Sequence, residues 1–197
     1  MKPLTLTTER LRLRPFTADD TDAVHAACQD PAIQRWTTIP SPYERRNAEH
    51  FIGQLAPDGW RDDSAYVFAV QARGGGPVIG AISLRHPRSG TWETGYWTAP
   101  EHRGHGYTTE ALEALARWAF TAAAADRLEW RAEVGNAGSR AVAEKAGFVI
   151  EGVLRAALLN KGTVRDCWIG ALLPADLGLP GGHPYLPAPD RNVPARA

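Results

Sequence analysis

The chain has 197 residues, of which 44% are hydrophobic and 22% are charged, and its 22 basic and 22 acidic residues cancel to a formal net charge of zero. This length suits a single domain with one sizeable hydrophobic core. Because there is no excess of positive charge, the composition gives no reason to expect nucleic acid or an anionic membrane as the main partner.

The sequence also indicates the environment of the protein. No run approaches the roughly 20 apolar residues that a membrane helix needs, and charges interrupt residues 1–16, which therefore lack the apolar core of a signal peptide. The two cysteines, Cys28 and Cys167, are far apart and match no metal-binding or redox spacing. We therefore expect a cytoplasmic protein with two reduced, buried thiols.

The first 55 residues predict one strand and two helices. Arginine and leucine alternate strictly over residues 10–14, which indicates a half-buried strand with its leucines inward. Thr17 and the acidic residues after it predict a helix start, and we expect that helix to end at the Asp-Pro pair of residues 30–31. Two prolines predict a loop over residues 34–43, and a second short helix is expected over residues 43–55.

The rest of the domain predicts strands and helices in alternation. Segments 65–71, 78–84 and 92–98 are separated by glycine- and proline-rich turns and predict an antiparallel meander. The later elements are a helix from Tyr107 to about residue 124, a strand over 128–134, a helix over 136–146 closed by Gly147, and strands over 148–151 and 164–172. This order predicts an α+β fold with one mixed, mostly antiparallel central sheet flanked by helices, over residues 1–177. Residues 178–197, rich in glycine and proline, are expected to form a mobile or draped tail.

A glycine-rich loop joins strand 92–98 directly to the helix that begins at Tyr107. The first turn of a helix has unpaired amide hydrogens and a partial positive charge, and glycines before it let the backbone approach a ligand closely. The segment Pro100–Ala111 therefore predicts a pyrophosphate cradle. No GxxxxGK[ST] string is present, and the third glycine of a dinucleotide-binding fingerprint is replaced by Thr109, so both of those phosphate motifs are excluded.

Four ordered blocks of sequence resemble the GNAT N-acetyltransferase superfamily, in its RimJ/RimL-like branch. Arg103-x-x-Gly106-x-Thr108 resembles the coenzyme A pyrophosphate motif, although that motif prefers glycine or alanine where Thr108 stands. The other matching segments are residues 8–16, 93–97 and 136–148, with Asp166 near the end. Together the blocks cover about residues 4–173. The resemblance implies a GNAT-like fold and an acetyl-CoA-dependent N-acetyltransferase, in which an amine attacks the acetyl thioester directly in a ternary complex.

The resemblance also implies roles for individual residues. Backbone amides of Trp97, Thr98 and Ala99 would hold the pantetheine arm and the acetyl carbonyl. The residues expected to hold the pyrophosphate are Arg103, Gly104, His105, Gly106, Tyr107 and Thr108. Asn136 and Ser139 match an Asn-x-x-Ser element that contacts the pantetheine arm, and Ser139 is expected to protonate the departing thiolate. The acceptor stays open between a protein N-terminus and a small-molecule amine, and a homodimer is common in the family.

The general base is the weakest point of the resemblance. RimL-like enzymes carry a glutamate just upstream of the final hairpin, but residues 155–160 contain no acid. Glu93, on the strand beside the expected thioester, is the best remaining carboxylate, although a structural role is equally compatible with its position. The missing glutamate leaves an alternative open, namely a catalytically silent acyl-CoA-binding regulatory module.

Two tryptophans are candidates for an acceptor pocket. Trp36 and Trp60 both fall in predicted loops, where binding residues are common. The arginines of strand 10–14 are expected to form a solvated outer face. No metal site is expected, because the histidines of segment 101–105 lack the four-residue helical spacing and have no evident distant partner.

Overall fold

Eight strands form one sheet in the computed structural model, which describes residues 1–88 and 90–188. The strands are β1 (Leu6–Thr7), β2 (Leu11–Arg14), β3 (Ala65–Ala72), β4 (Val78–Arg88), β5 (Thr91–Thr98), β6 (Arg127–Glu133), β7 (Val149–Asn160) and β8 (Thr163–Leu172). Their order across the sheet is β1-β2-β3-β4-β5-β6-β8-β7. All neighbouring pairs run antiparallel except β5 and β6, which are parallel. The α+β fold expected from the sequence is therefore confirmed.

Within the described residues, six α-helices cover the two faces of this sheet. They are α1 (Thr21–Ala27), α2 (Pro31–Trp36), α3 (Arg45–His50), α4 (Ala56–Arg61), α5 (Tyr107–Ala122) and α6 (Ala137–Lys145), and a π-helical turn (Phe51–Leu55) joins α3 to α4. The larger hydrophobic core lies under α4, α5 and α6, and the smaller one under α1, α2 and α3. Among the helices in the described ranges, none combines the length and the apolar character needed to cross a membrane.

The predicted stripe of α5 is the centre of the larger core. Leu112, Leu115, Ala116 and Ala119 are completely buried, as their spacing along one helical face predicts. Trp92 of β5 packs in the same core, whereas Trp97 packs against the smaller one. This division follows from the strand period of two, because residues an odd number apart point to opposite faces.

The parallel strands β5 and β6 separate partway along their length. Their register runs from the pair Thr91–Arg127 to the pair Thr94–Trp130. Beyond that pair β5 stays bonded to β4 up to Thr98, and β6 stays bonded to β8 up to Glu133. A wedge-shaped cleft, called here the β5–β6 cleft, therefore opens at the carboxyl ends of both strands. Backbone groups of β5 that face it have lost their strand partner and are available to a ligand.

The helical segments differ most from the sequence prediction. The Asp-Pro pair that was expected only to end a helix also begins α2, because the Asp30 carboxylate accepts a hydrogen bond from the Ile33 amide (2.9 Å) and Pro31 occupies the first turn. Residues 34–36 are therefore helical rather than loop. The second predicted helix, over 43–55, is also too short, since helical structure continues to Arg61.

One strand was missed and two were underestimated, of which β4 runs to Arg88 rather than to residue 84. β1 has only two residues and gives no periodic signal. β7 runs to Asn160 rather than to residue 151, and its register against β8 shifts after Ile150 and after Leu154. Such shifts break the alternation of buried and exposed residues on which strand prediction depends.

The described part of the predicted tail contacts the domain. His183 Nδ1 lies 2.7 Å from Asp126 Oδ2, just before β6. Residues 189–197 of that segment lie outside the described residues.

Candidate functional site

The glycine-rich loop before α5 has a backbone suited to an anion. Gly104 and Gly106 have φ angles of +80° and +77°, in the left-handed region that favours glycine. The Glu110 amide donates to the Gly106 carbonyl (3.1 Å) as the first backbone bond of α5, so the amides of residues 106–109 have no acceptor within the helix. They point out of the positive end of a 16-residue helix. This geometry fits the expected pyrophosphate cradle.

The side chain of Arg103 is used differently from the expectation. Its Nε donates to the Thr98 carbonyl (3.1 Å) and its Nη2 donates to Asp30 Oδ1 (2.7 Å). Its backbone amide donates to the Pro100 carbonyl (3.2 Å). Arg103 therefore holds the cradle loop against β5 and α2, and its contact with pyrophosphate stays a prediction.

Arg10 braces the same loop, although the sequence predicted a solvated side chain. Its Nη1 donates to the His105 carbonyl (3.0 Å), its Nε donates to Glu110 Oε2 (2.6 Å), and its guanidinium lies 5.0 Å from the Tyr107 ring centroid. Burial alone would raise the pKa of Glu110, but hydrogen bonds from Thr8 and Arg10 hold that pKa below its ordinary value. The contact with His105 spans 95 residues of sequence, so no local pattern could have indicated it.

Thr108, the departure from the family motif, has a partner inside the protein. Its hydroxyl lies 2.5 Å from the hydroxyl of Thr98 at the end of β5. A hydrogen bond between these two hydroxyls joins the last residue of β5 to the first turn of α5. The β-branched side chain therefore stabilises the junction on which the cradle depends.

The amides of β5 face the cleft in alternation. The Ala99 amide donates to the Ile79 carbonyl (3.0 Å), towards β4. Alternate residues of a strand direct their backbone groups to the same neighbour, so the Trp97 amide also faces β4, and those of Tyr96 and Thr98 face the cleft. The prediction that Trp97 and Ala99 hold the thioester through their amides is therefore wrong, and Tyr96 is a cleft residue that the sequence analysis missed.

Asn136 and Ser139 lie at the start of α6. The Asn136 side chain caps that helix by accepting a hydrogen bond from the Ser139 amide (3.2 Å). The Ser139 hydroxyl accepts a hydrogen bond from Trp130 Nε1 (3.0 Å) and donates one to Tyr96 Oη (3.2 Å). Trp130 belongs to the last bonded pair of β5 and β6, so the Ser139 hydroxyl lies where the two strands separate.

Each of three carboxylates on β5 and β6 is held by arginines. The pairs are Glu93 with Arg85 and Arg131, Glu129 with Arg127 and Arg131, and Glu133 with Arg35 and Arg165. The hydrogen bonds from Arg35 hold the pKa of Glu133 below its ordinary value. Glu93 also points to the face of β5 opposite Tyr96. Its ion pairs with Arg85 and Arg131, together with this orientation, favour the structural role for Glu93.

The two candidate acceptor tryptophans have different surroundings. Trp60 is only 2% exposed and lies in α4, where its Nε1 donates to the Val67 carbonyl (3.1 Å). It is a core residue, and its predicted place in an acceptor pocket is wrong. Trp36 is half-buried at the end of α2, and a Cβ added at Gly135 would lie 3.7 Å from its ring. Trp36 therefore lies beside the loop between β6 and α6, at the open end of the β5–β6 cleft.

Comparisons with known proteins agree with this geometry. A profile described as "Acetyltransferase (GNAT) domain" matches residues 10–149. The chain is 28% identical over 171 residues to the uncharacterised N-acetyltransferase p20 of Bacillus licheniformis, covering 86% of this chain and 96% of that protein. It is 34% identical over 131 residues to YdaF of Bacillus subtilis (strain 168), a protein named as a candidate ribosomal N-acetyltransferase, covering 64% of this chain and 71% of YdaF.

A solved structure of RimJ from Mycobacterium smegmatis, in complex with CoA-disulfide, has the same fold. The two structures superimpose with a TM-score of 0.79 at 22% sequence identity, over 90% of this chain and 92% of that one. With the profile match over most of the chain, it follows that this protein belongs to the GNAT acetyltransferase family and is an acetyl-CoA-dependent N-acetyltransferase.

Proposed function

We propose that this enzyme acetylates the α-amino group at the N-terminus of a protein, by direct attack of that amine on acetyl-CoA in a ternary complex. The observation that carries the proposal is the set of groups around the β5–β6 cleft. The predicted pyrophosphate cradle lies at one side, and the Ser139 hydroxyl lies where the strands separate. The three carboxylates Glu93, Glu129 and Glu133 each have an arginine partner.

The residues of the cleft fit acetyl-CoA as the donor. The amides of residues 106–109 would hold the pyrophosphate, as the left-handed glycines before them allow. The cleft-facing amides of Tyr96 and Thr98 would bind the pantetheine arm and the acetyl oxygen, where negative charge develops during attack. Asn136 would contact the pantetheine arm from the other side, and Ser139 would donate a hydrogen bond to the departing sulfur.

The paired carboxylates favour an α-amine over a lysine side chain or a polyamine. An α-amino group has a pKa of about 7.7–8.0, whereas a lysine side chain has one of about 10.4. An α-amine is therefore partly neutral near pH 7.5 and can attack with little help from a base. A lysine would need a strong general base, which an arginine-bound carboxylate does not supply. The name of YdaF, a relative called a ribosomal N-acetyltransferase, supports a protein acceptor.

The proposal is tested by thiol release from acetyl-CoA with matched peptides. One peptide has a free N-terminus and no lysine, the second has the same sequence with a blocked N-terminus and one internal lysine, and spermidine is the third acceptor. We expect release with the first peptide alone, over a panel of N-terminal residues. Release with spermidine or the lysine peptide alone would replace the proposed acceptor class.

The same assay tests the enzyme against a silent module. Tight binding of acetyl-CoA without thiol release by any amine would support a regulatory acyl-CoA-binding protein. Failure to bind coenzyme A at all would contradict the assigned cradle.

A further inference from the structure

The hydroxyls of Tyr96 and Ser139 form a chain of hydrogen bonds in which chemistry fixes only the direction of the bond from Trp130. An indole N–H can only donate, so Trp130 fills one lone pair of the Ser139 oxygen (3.0 Å). The single Ser139 hydrogen is donated to Tyr96 Oη (3.2 Å), and the single Tyr96 hydrogen is donated to the Ser139 backbone carbonyl (2.8 Å). One lone pair of the Ser139 oxygen is left over.

We propose that Tyr96 is a positioning residue that switches the Ser139 hydroxyl between two hydrogen-bonding states during acetyl transfer, an inference that rests on the proposed function. Tyr96 Oη already lies within hydrogen-bond distance of both the carbonyl and the hydroxyl of Ser139. Rotation of the two O–H bonds therefore turns the chain around without any movement of heavier atoms. Tyr96 then donates to the Ser139 oxygen, and Ser139 donates to the sulfur of the leaving group.

This second state makes Ser139 a stronger donor than an isolated serine. Both lone pairs of its oxygen accept hydrogen bonds, one from Trp130 and one from Tyr96, and such chains polarise the O–H bond that they end on. The bond between the amine nitrogen and the acetyl carbon forms as the carbon–sulfur bond breaks, the sulfur departs as a thiolate, and the proton released by the nitrogen passes to solvent. Ser139 donates a hydrogen bond to that thiolate and keeps its own proton, so both hydroxyls stay neutral throughout the turnover.

The surroundings of Tyr96 suit a donor that keeps its proton. Burial raises the pKa of its hydroxyl well above the ordinary value, and its hydrogen bond with Ser139 offsets only part of that rise. A phenolate is therefore strongly disfavoured at this position. Tyr96 acts on the reaction through Ser139, by orientation and polarisation.

The test is a double-mutant cycle between Tyr96→Phe and Ser139→Ala, measured as kcat for thiol release and as acetyl-CoA affinity. We expect Tyr96→Phe to lower kcat roughly tenfold, as loss of one oriented hydrogen bond in a transition state does, and to change acetyl-CoA Kd by less than about twofold. In the Ser139→Ala background the same change should have no further effect on kcat, because Tyr96 then has nothing to orient. Equal losses in both backgrounds would overturn the proposal.

A control and a second readout keep the proposal separate from the acceptor assignment. Tyr66→Phe removes a hydroxyl bonded to Asp63 (2.9 Å) from the same core and should leave kcat unchanged.

The second readout is the affinity for the product coenzyme A, measured at pH 7.0 and at pH 9.5. Acetyl-CoA, which has no free thiol, is the control ligand. A donor aimed at the sulfur favours the thiolate form of coenzyme A. In the wild type, the ratio of coenzyme A affinity to acetyl-CoA affinity should therefore be higher at pH 9.5 than at pH 7.0. Tyr96→Phe should reduce this increase roughly threefold. An unchanged preference would overturn the proposal even if no amine acceptor is found.

Discussion

Gly106 is the residue on which the cradle most directly depends. Its φ of +77° costs other residue types about 1–2 kcal/mol, and an added Cβ would lie 3.5 Å from the Arg10 guanidinium that braces the loop. We expect Gly106→Ala to lower acetyl-CoA affinity at least about tenfold, because the loop must shift where amides meet the pyrophosphate. Isothermal titration calorimetry of the variant and the wild type measures this difference in acetyl-CoA affinity.

The matched control for that prediction is Gly53→Ala. Gly53 is exposed in the π-helical turn, and a Cβ there meets nothing within 4 Å. Its acetyl-CoA affinity should equal that of the wild type. Equal affinities for both alanine variants would contradict the assigned role of the loop.

At the scale of single residues, the sequence allowed predictions only for features that depend on residues adjacent in the chain. The cradle could be predicted because strand, glycines and helix are contiguous, and Ser139 could be proposed through a family motif. Tyr96 was missed because its partner, Ser139, is 43 residues away. Trp60 was misplaced for a related reason, since nothing near it in the sequence shows that a helix carries it into the core.

At the scale of elements, α2 connects the cradle to the last hairpin. Its N-terminal cap, Asp30, is bound by Arg103 of the cradle loop. At its other end Lys161 Nζ donates to the carbonyls of Gln34 and Thr37, and Asn160 Nδ2 donates to the carbonyl of Arg35 (3.2 Å). A six-residue helix with both ends held in this way fixes one wall at the open end of the β5–β6 cleft, where Trp36 lies.

This connection predicts a selective effect of Lys161→Ala. Loss of the ammonium leaves two carbonyls at the end of α2 without their charged donor, so the wall near Trp36 should become less ordered. We expect KM for the peptide acceptor to rise roughly three- to tenfold, with acetyl-CoA Kd unchanged, as steady-state kinetics and calorimetry can measure. Arg155→Ala removes an exposed cation from the same hairpin and should change neither constant. A parallel loss of acetyl-CoA affinity would show that α2 mainly supports the cradle.

Elements were predictable where one periodicity governs them without interruption. The stripe of α5 follows directly from a period of 3.6, and the meander of β3, β4 and β5 follows from the glycine- and proline-rich turns between three short segments. α2 was not predictable as a helix from periodicity, because six residues give too few turns. Its stability comes from the Asp30 cap and from side chains that lie 73 and more than 120 residues away in sequence.

For the whole molecule, ion pairs connect parts of the chain that the sheet alone does not fix. Arg14 joins β2 to Asp20 with two hydrogen bonds of 2.7 and 2.8 Å, and Arg35 joins α2 to Glu133 of β6 with two of 2.8 and 2.6 Å. Burial alone would raise the pKa of Asp20, but Arg14 and Thr17 hold it below its ordinary value. Both carboxylates are therefore ionised in the folded protein at neutral pH.

These lowered pKa values predict how stability depends on pH. In the unfolded chain Asp and Glu titrate near 3.9 and 4.3, so the pairs stabilise the fold fully above about pH 5 and lose that contribution as pH falls through the folded-state values. We expect the free energy of unfolding in urea to be flat from pH 7.5 to 5.5 and to fall below about pH 4.5. Asp20→Asn should cost about 2 kcal/mol at pH 7, because it leaves the partly buried Arg14 guanidinium without its charged partner, and should make the fall below pH 4.5 shallower. Asp19→Asn, at the exposed neighbouring position, should reproduce the wild-type curve within about 0.5 kcal/mol. If Asp20→Asn and the wild type lose stability in parallel as the pH is lowered, the Arg14–Asp20 pair does not contribute to acid sensitivity.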